Sequence, residues 1–373
     1  MEKETKIRRV YFVERIGMAP GAAAAGLMLI VMMGIANGGV ESGSDDPFAL
    51  YVLGDSSVNC GDNNLFYPFL HHNLSLLPCN GSGSTLLPYF LAEKIGLPHI
   101  LPFYSQNGSV EELLRGVNFG SAQATIINPN SPSDQSLNEQ LRQVFETLQL
   151  LQLQLPENQA SHFIQSSIFY LSFGKDDYIK FLLGNYNSLV HGREEFAGIL
   201  VNQLVRVMRS LYDANVRKMV CVGIMPLGCT PRMVLDFSSG VSGNLVNGCV
   251  REVNEAVLEY NQLLGRHILG LNEELSNVQI VFCDIYQAIM EMVTNPSQYG
   301  FEDARNACCG IGLYGAMMGC LSTEMACDQA SIHIWWDLYN PTEMVNSLLA
   351  SSVWFGKPFS KICHPTNIQD IVS

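Results

Sequence analysis

Apolar residues fall into two spacings along this chain. Short, nearly unbroken runs occur at Phe48–Leu53 (FALYVL), Ile168–Phe173 (IFYLSF), Met219–Ile224 and Val278–Cys283. Runs this short, without alternating polar positions, predict strands covered on both faces. Turn residues follow each run: Gly54, Gly174, Pro226 and Asp284. Between them, apolar positions recur three and four apart over about 138–154, 195–214, 251–275 and 342–354, which predicts helices. Strands that alternate with helices imply right-handed crossovers and a mostly parallel sheet. Residues 55–136 are rich in Gly, Asn, Pro and Ser and predict loops and short helices over the top of that sheet. No internal repeat or low-complexity linker follows residue 45.

In an open parallel sheet, ligands gather at the carboxyl ends of the strands. The polar residues there are Asp55 and Ser56, Asp176 and Asp177, and Asp284. Placement alone therefore makes Ser56 a candidate nucleophile. Asp284 has a simpler role available, as cap of the next helix, and so does Ser57 after the turn.

Composition narrows the class. Hydrophobic residues make up 47% of the 373 positions and charged residues 15%, enough for a large core. A net charge of -14 weighs against a nucleic-acid partner, because phosphate binding needs a basic surface. The N-terminus differs from the rest. Lys3, Lys6, Arg8, Arg9 and Arg15 precede an apolar run from about Ala19 to Ala36. Residues 1–36 therefore read as a signal peptide or an uncleaved signal anchor, and 37–47 as a short mature N-terminal segment. Eleven cysteines support an oxidising compartment, and their odd number leaves at least one free or intermolecular thiol. Cys229 with Cys249, and pairs among Cys308, Cys309, Cys320 and Cys327, are disulfide candidates. A zinc site in that last cluster is the weaker alternative, since no CxxC or HxxxH spacing accompanies it. Three sequons, at Asn73, Asn80 and Asn107, add glycosylation candidates. Met225, Met317, Met318 and Met325 are expected to fill the core.

Several blocks in order carry a resemblance. Gly54-Asp55-Ser56-Ser57-Val58 with Gly61-Asp62-Asn63-Asn64, then Asn118 to Ala124, then Gly174-Lys175-Asp176-Asp177-Tyr178, come first. Pro226 to Pro231 (PLGCTP), Asn295 to Phe301, Cys308-Cys309-Gly310 and Trp336 to Glu343 follow. Together they resemble the plant GDSL esterase/lipase family of the SGNH hydrolase superfamily, over about residues 48–355. The resemblance implies a single-domain, three-layer α/β/α fold with a mostly parallel sheet, leaving 356–373 as a C-terminal tail.

It also implies roles. Ser56 would be the nucleophile. Its N–H, a glycine N–H of the second block and an asparagine of the third would form the oxyanion hole. Asp337 would orient a histidine three residues later. A serine hydroxyl attacks only when a neighbouring base takes its proton, and the oxyanion needs preorganised donors. Three of these parts differ here. The histidine position holds Asn340, whose amide has no basic lone pair. The asparagine position holds Asp176, and an ionised carboxylate only accepts hydrogen bonds. The glycine position is Gln123. His333, four residues before Asp337, is the candidate replacement base, with a structural histidine as the plainer alternative.

The expectation is a secreted esterase/lipase-family protein, extracellular or in the cell wall, acting on an acyl ester, a lipid or an acetylated glycan. Hydrolysis through Ser56 is expected to be severely reduced or lost. The alternative is a non-catalytic member that recognises a glycan, lipid or protein through the cleft. A membrane enters only if the N-terminal segment is retained, in which case an anchored structural role is a third possibility. No metal and no organic cofactor is expected.

Overall fold

The computed structural model describes residues 48–60, 85–97, 99–127, 135–238 and 245–372, with 184–191 and 323 described by backbone alone. The N-terminal segment 1–47 and the sequons at Asn73 and Asn80 lie outside the described residues.

The chain alternates strand and helix as the apolar spacing predicts. In order come β1 (Leu50–Gly54), α1 (Leu87–Ile95), β2 (Leu101–Pro102), β3 (Val117–Asn118), α2 (Leu137–Gln154) and α3 (Glu157–Ser166). Then follow β4 (Ile168–Ser172), α4 (Lys175–Asp213), β5 (Lys218–Val222), α5 (Arg251–Glu274), β6 (Gln279–Cys283), α6 (Ile285–Thr294), α7 (Glu343–Phe355) and β7 (Cys363–His364). The seven strands form one sheet in the order β7-β6-β5-β4-β1-β3-β2. All pairs are parallel except β7 with β6.

Every residue of β1 and β4 is buried, so side chains pointing either way meet apolar neighbours. This is why these strands read as continuous apolar runs. Helices supply the cover: α4 packs on α5, and α1 on α7. The fold is α/β, with a mostly parallel central sheet between helical layers. Among the described residues, no helix is long and apolar enough to cross a membrane.

Strand order positions the site. From β1 the chain moves outward to β2 and β3; from β4 it moves the other way, to β5 and β6. Loops leaving the carboxyl ends of β1 and β4 therefore diverge, and the crevice between them is where such sheets place ligands. Gly54 ends β1 in tight quarters. A Cβ there would lie 2.6 Å from the Ser172 carbonyl oxygen and 2.5 Å from Val58 Cγ2, so only glycine lets the turn approach β4.

Three features were not readable from spacing. The two-residue strands β2 and β3 lie within 55–136, where only loops and short helices were expected, because two residues carry no period. α4 starts at Lys175 rather than near 195. Residues 356–373, expected as a tail, contribute β7 to the sheet edge and are tied to β6 by a Cys283–Cys363 disulfide. Cys229–Cys249, Cys308–Cys327 and Cys309–Cys320 are also bonded, and among the described residues Cys221 is a free, buried thiol. Of the methionines expected in the core, Met225 is buried, whereas Met317 and Met318 are exposed.

Candidate active site

Ser56 stands two residues beyond β1, in a tight turn closed by the Val58 N–H donating to the Asp55 carbonyl at 3.1 Å. Asp55 is fully buried beneath it. Its Oδ1 accepts from the Ser57 N–H at 2.9 Å and the Ser57 hydroxyl at 2.6 Å, and its Oδ2 accepts from the Asp176 N–H at 3.2 Å. Ser57 thus braces the turn. Burial pushes the Asp55 carboxyl above the ordinary carboxylate range, and the neighbouring Asp176 adds to the rise.

The facing loop leaves β4 through Gly174, whose φ of 107° lies in the left-handed region. A Cβ there would lie 2.9 Å from Ile224 Cδ1 and 3.1 Å from the Tyr260 ring. This bend starts α4 abruptly and sets Lys175, Asp176 and Asp177 in its first turn. Carboxylates are favoured at a helix N-terminus, where unpaired N–H groups concentrate positive charge. Asp177 points back into the fold and accepts from the N–H groups of Ile126 and Ile127. Burial pushes its pKa up to about 7.

Asp176 engages Ser56 twice. The Ser56 hydroxyl donates to Oδ1 at 2.6 Å, and the Ser56 N–H donates to Oδ2 at 3.0 Å. One carboxylate therefore holds both the hydroxyl and the backbone N–H of Ser56.

Asp337 and Asn340 come from the loop between a short strand, His333–Trp335, and α7. The loop is folded on itself: Oδ1 of Asp337 accepts from the N–H groups of Tyr339 and Asn340 at 2.9 and 2.8 Å. The Asn340 amide nitrogen also donates to Asp337, at 2.9 Å to Oδ2. Its amide oxygen accepts from Lys175 Nζ at 2.6 Å. Burial raises the Asp337 pKa, and the bonds from Asn340 and Tyr339 together with the charge of Lys175 oppose that rise.

The other sequence candidates make contacts of their own. Gln123 is exposed with φ 65°, a left-handed conformation that favours glycine, and its carbonyl accepts from Lys180 Nζ at 2.9 Å. The His333 ring contacts the Asn306 carbonyl at 3.4 Å and lies 3.9 Å from the Asp303 carboxylate, so its contacts are on a neighbouring strand rather than with Ser56. Asp284 caps α6 by accepting from the Tyr286 N–H. Asn107 is exposed, its side chain accepting from the Ser109 N–H. Lys175 is the residue that sequence reasoning passed over. The sequence carried no signal for it, because the helix start that makes a lysine there unusual was itself not visible.

A parallel α/β sheet with a serine at the divergence of β1 and β4, faced by an aspartate-bearing loop, defines a serine-hydrolase scaffold. The chain belongs to the GDSL-like lipase/acylhydrolase family, which matches residues 50–353. Relatives in Arabidopsis thaliana agree. One GDSL esterase/lipase is 31% identical over 338 residues, covering 87% of this chain and 88% of the relative. GDSL esterase/lipase 7 is 31% identical over 348 residues, covering 88% and 93%. A third is 29% identical over 346 residues, covering 87% and 85%.

Proposed function

We propose that this family member keeps a cleft for an acyl ester, a lipid or an acetylated glycan but has lost, or nearly lost, hydrolysis through Ser56. One observation supports the proposal: at the position where the family carries its histidine, the Asn340 amide is bound on one side to Asp337 and on the other to Lys175. An amide oxygen in that position cannot serve as a general base.

Asp176 does not repair the loss. It is aligned to take the hydroxyl proton, but the same carboxylate occupies the Ser56 N–H. Attack on an ester would set a developing oxyanion against it. Removing one oxyanion donor lowers turnover by roughly 10²–10³. Removing the base of a serine triad lowers it by on the order of 10⁶. Either change outweighs what Ser56 and Asp337 retain.

The test is hydrolysis of p-nitrophenyl acetate and butyrate by wild type, Ser56→Ala and the double variant Asn340→His/Asp176→Asn. Wild type and Ser56→Ala are expected to match, and the double variant to exceed both. Wild-type hydrolysis as fast as the double variant, or rapid labelling of Ser56 by a fluorophosphonate, would sink the proposal.

A non-catalytic binding role, for a glycan, lipid or protein, is the second reading. It is motivated by Asn340 and Asp176, which stand at two of the family's catalytic positions while the fold is kept. The disulfides support passage through the secretory pathway, with residues 1–36 as a signal peptide or anchor and the extracellular space or cell wall as destination. A mature N-terminus near Asn37 would distinguish cleavage from anchoring. Exposure of Asn107 suits a glycan there, and its loss on Asn107→Gln is the expected mass change.

A further inference from the structure

A buried lysine lines a pocket with Ser57 and Asn340, and the catalytic roles that the family resemblance implies assign it none. Lys175 is 3% exposed and opens α4 at the end where the backbone already presents positive charge. Helix formation gives no reason for a cation there. Its partner is the side chain at position 340, 2.6 Å away. The Asn340 amide can satisfy Asp337 and Lys175 together in one orientation only, nitrogen toward the carboxylate and oxygen toward the ammonium.

We propose that Lys175 is a positioning residue that locks the side chain at position 340 and would weaken, without abolishing, the action of a histidine placed there. This rests on the proposed loss of hydrolysis and names the residue that makes the loss hard to reverse. An imidazole seated on Asp337 through one nitrogen presents the other to Nζ. The ammonium then donates to the lone pair that must accept the serine proton. Its charge also disfavours the imidazolium that forms when the proton arrives. Asp176 acts in the same sense at the serine itself, by accepting from the Ser56 N–H. At rest the cleft thus holds a cation against position 340 and an anion against Ser56. A working triad develops those charges only during reaction.

Four full-length variants test this: Asn340→His/Asp176→Asn alone, and the same pair with Lys175→Met, Lys175→Arg or Lys175→Gln. Hydrolysis of p-nitrophenyl butyrate is followed from about pH 5 to about pH 9, spanning the imidazole range. Adding Lys175→Met is expected to raise kcat/KM roughly tenfold and move the acidic limb upward by about one pH unit, as loss of a nearby like charge should. Lys175→Arg, which keeps the charge, is expected to do neither. Lys175→Gln, neutral and able to hydrogen-bond, is read in the same way and guards against a poorly folded Met variant. Unchanged rate and limb in the neutral variants overturns the proposal. So does a lowered melting temperature with the limb in place, because a lysine that only stabilises the fold would give that result. The underlying loss of hydrolysis is judged separately, by wild type against Ser56→Ala.

Discussion

Asp177 shows how one buried group couples this fold to pH. Its folded pKa is raised to about 7 by burial, above the ordinary carboxyl value. Between those values the folded protein binds a proton that the unfolded chain has released. The stability it contributes is present in full below the unfolded pKa and is lost as pH rises through the folded one. The effect is on the order of a few kcal/mol. The difference in melting temperature between wild type and Asp177→Asn should therefore move in favour of wild type as pH falls from about 7 to about 5. A difference independent of pH would refute this. The acid at 177 was visible in the sequence as a carboxyl at a strand end. Its inward turn was not, because the acceptors' partners, Ile126 and Ile127, lie about fifty positions earlier in the chain.

At the scale of elements, the sharp transition from β4 to α4 sets Lys175 and Asp176 against the turn after β1. It depends on Gly174 at φ 107°. Gly174→Ala adds a Cβ within 3.1 Å of the Tyr260 ring and imposes a conformation that L residues avoid. It should cost about 1–3 kcal/mol in urea unfolding. A cost near zero would show that the bend relaxes freely. The core strands were legible because both faces are apolar, and the long helices because their period persists over several turns. The start of α4 was hidden, since a helix beginning with Lys-Asp-Asp shows polar residues before its apolar stripe emerges.

At the scale of the whole molecule, one disulfide joins parts far apart in sequence. Cys283–Cys363 closes 80 positions and pins β7 to the sheet. Cys363→Ser should lower stability by about 2–4 kcal/mol and melt the protein earlier. Non-reducing peptide mapping should recover Cys229–Cys249, Cys308–Cys327 and Cys309–Cys320 as separate links, with Cys221 alkylated only after unfolding. Spacing nominated the first of these pairs and left the second cluster open. It could not nominate Cys283 with Cys363, because adjacency across a sheet edge leaves no trace in sequence distance.

Local patterns of apolar and polar residues determined the alternating architecture and the strand ends, and with them Ser56 and Asp176 as candidates; Asp337 and Asn340 were nominated only by the family resemblance of their sequence block. Those are properties of short stretches of chain. The direction in which each polar side chain turned, and the seating of Asn340 between Asp337 and Lys175, were decided only by tertiary structure. Hydrogen bonds spanning more than a hundred residues depend on how the loops converge in space, and that convergence follows from strand order rather than from any local segment.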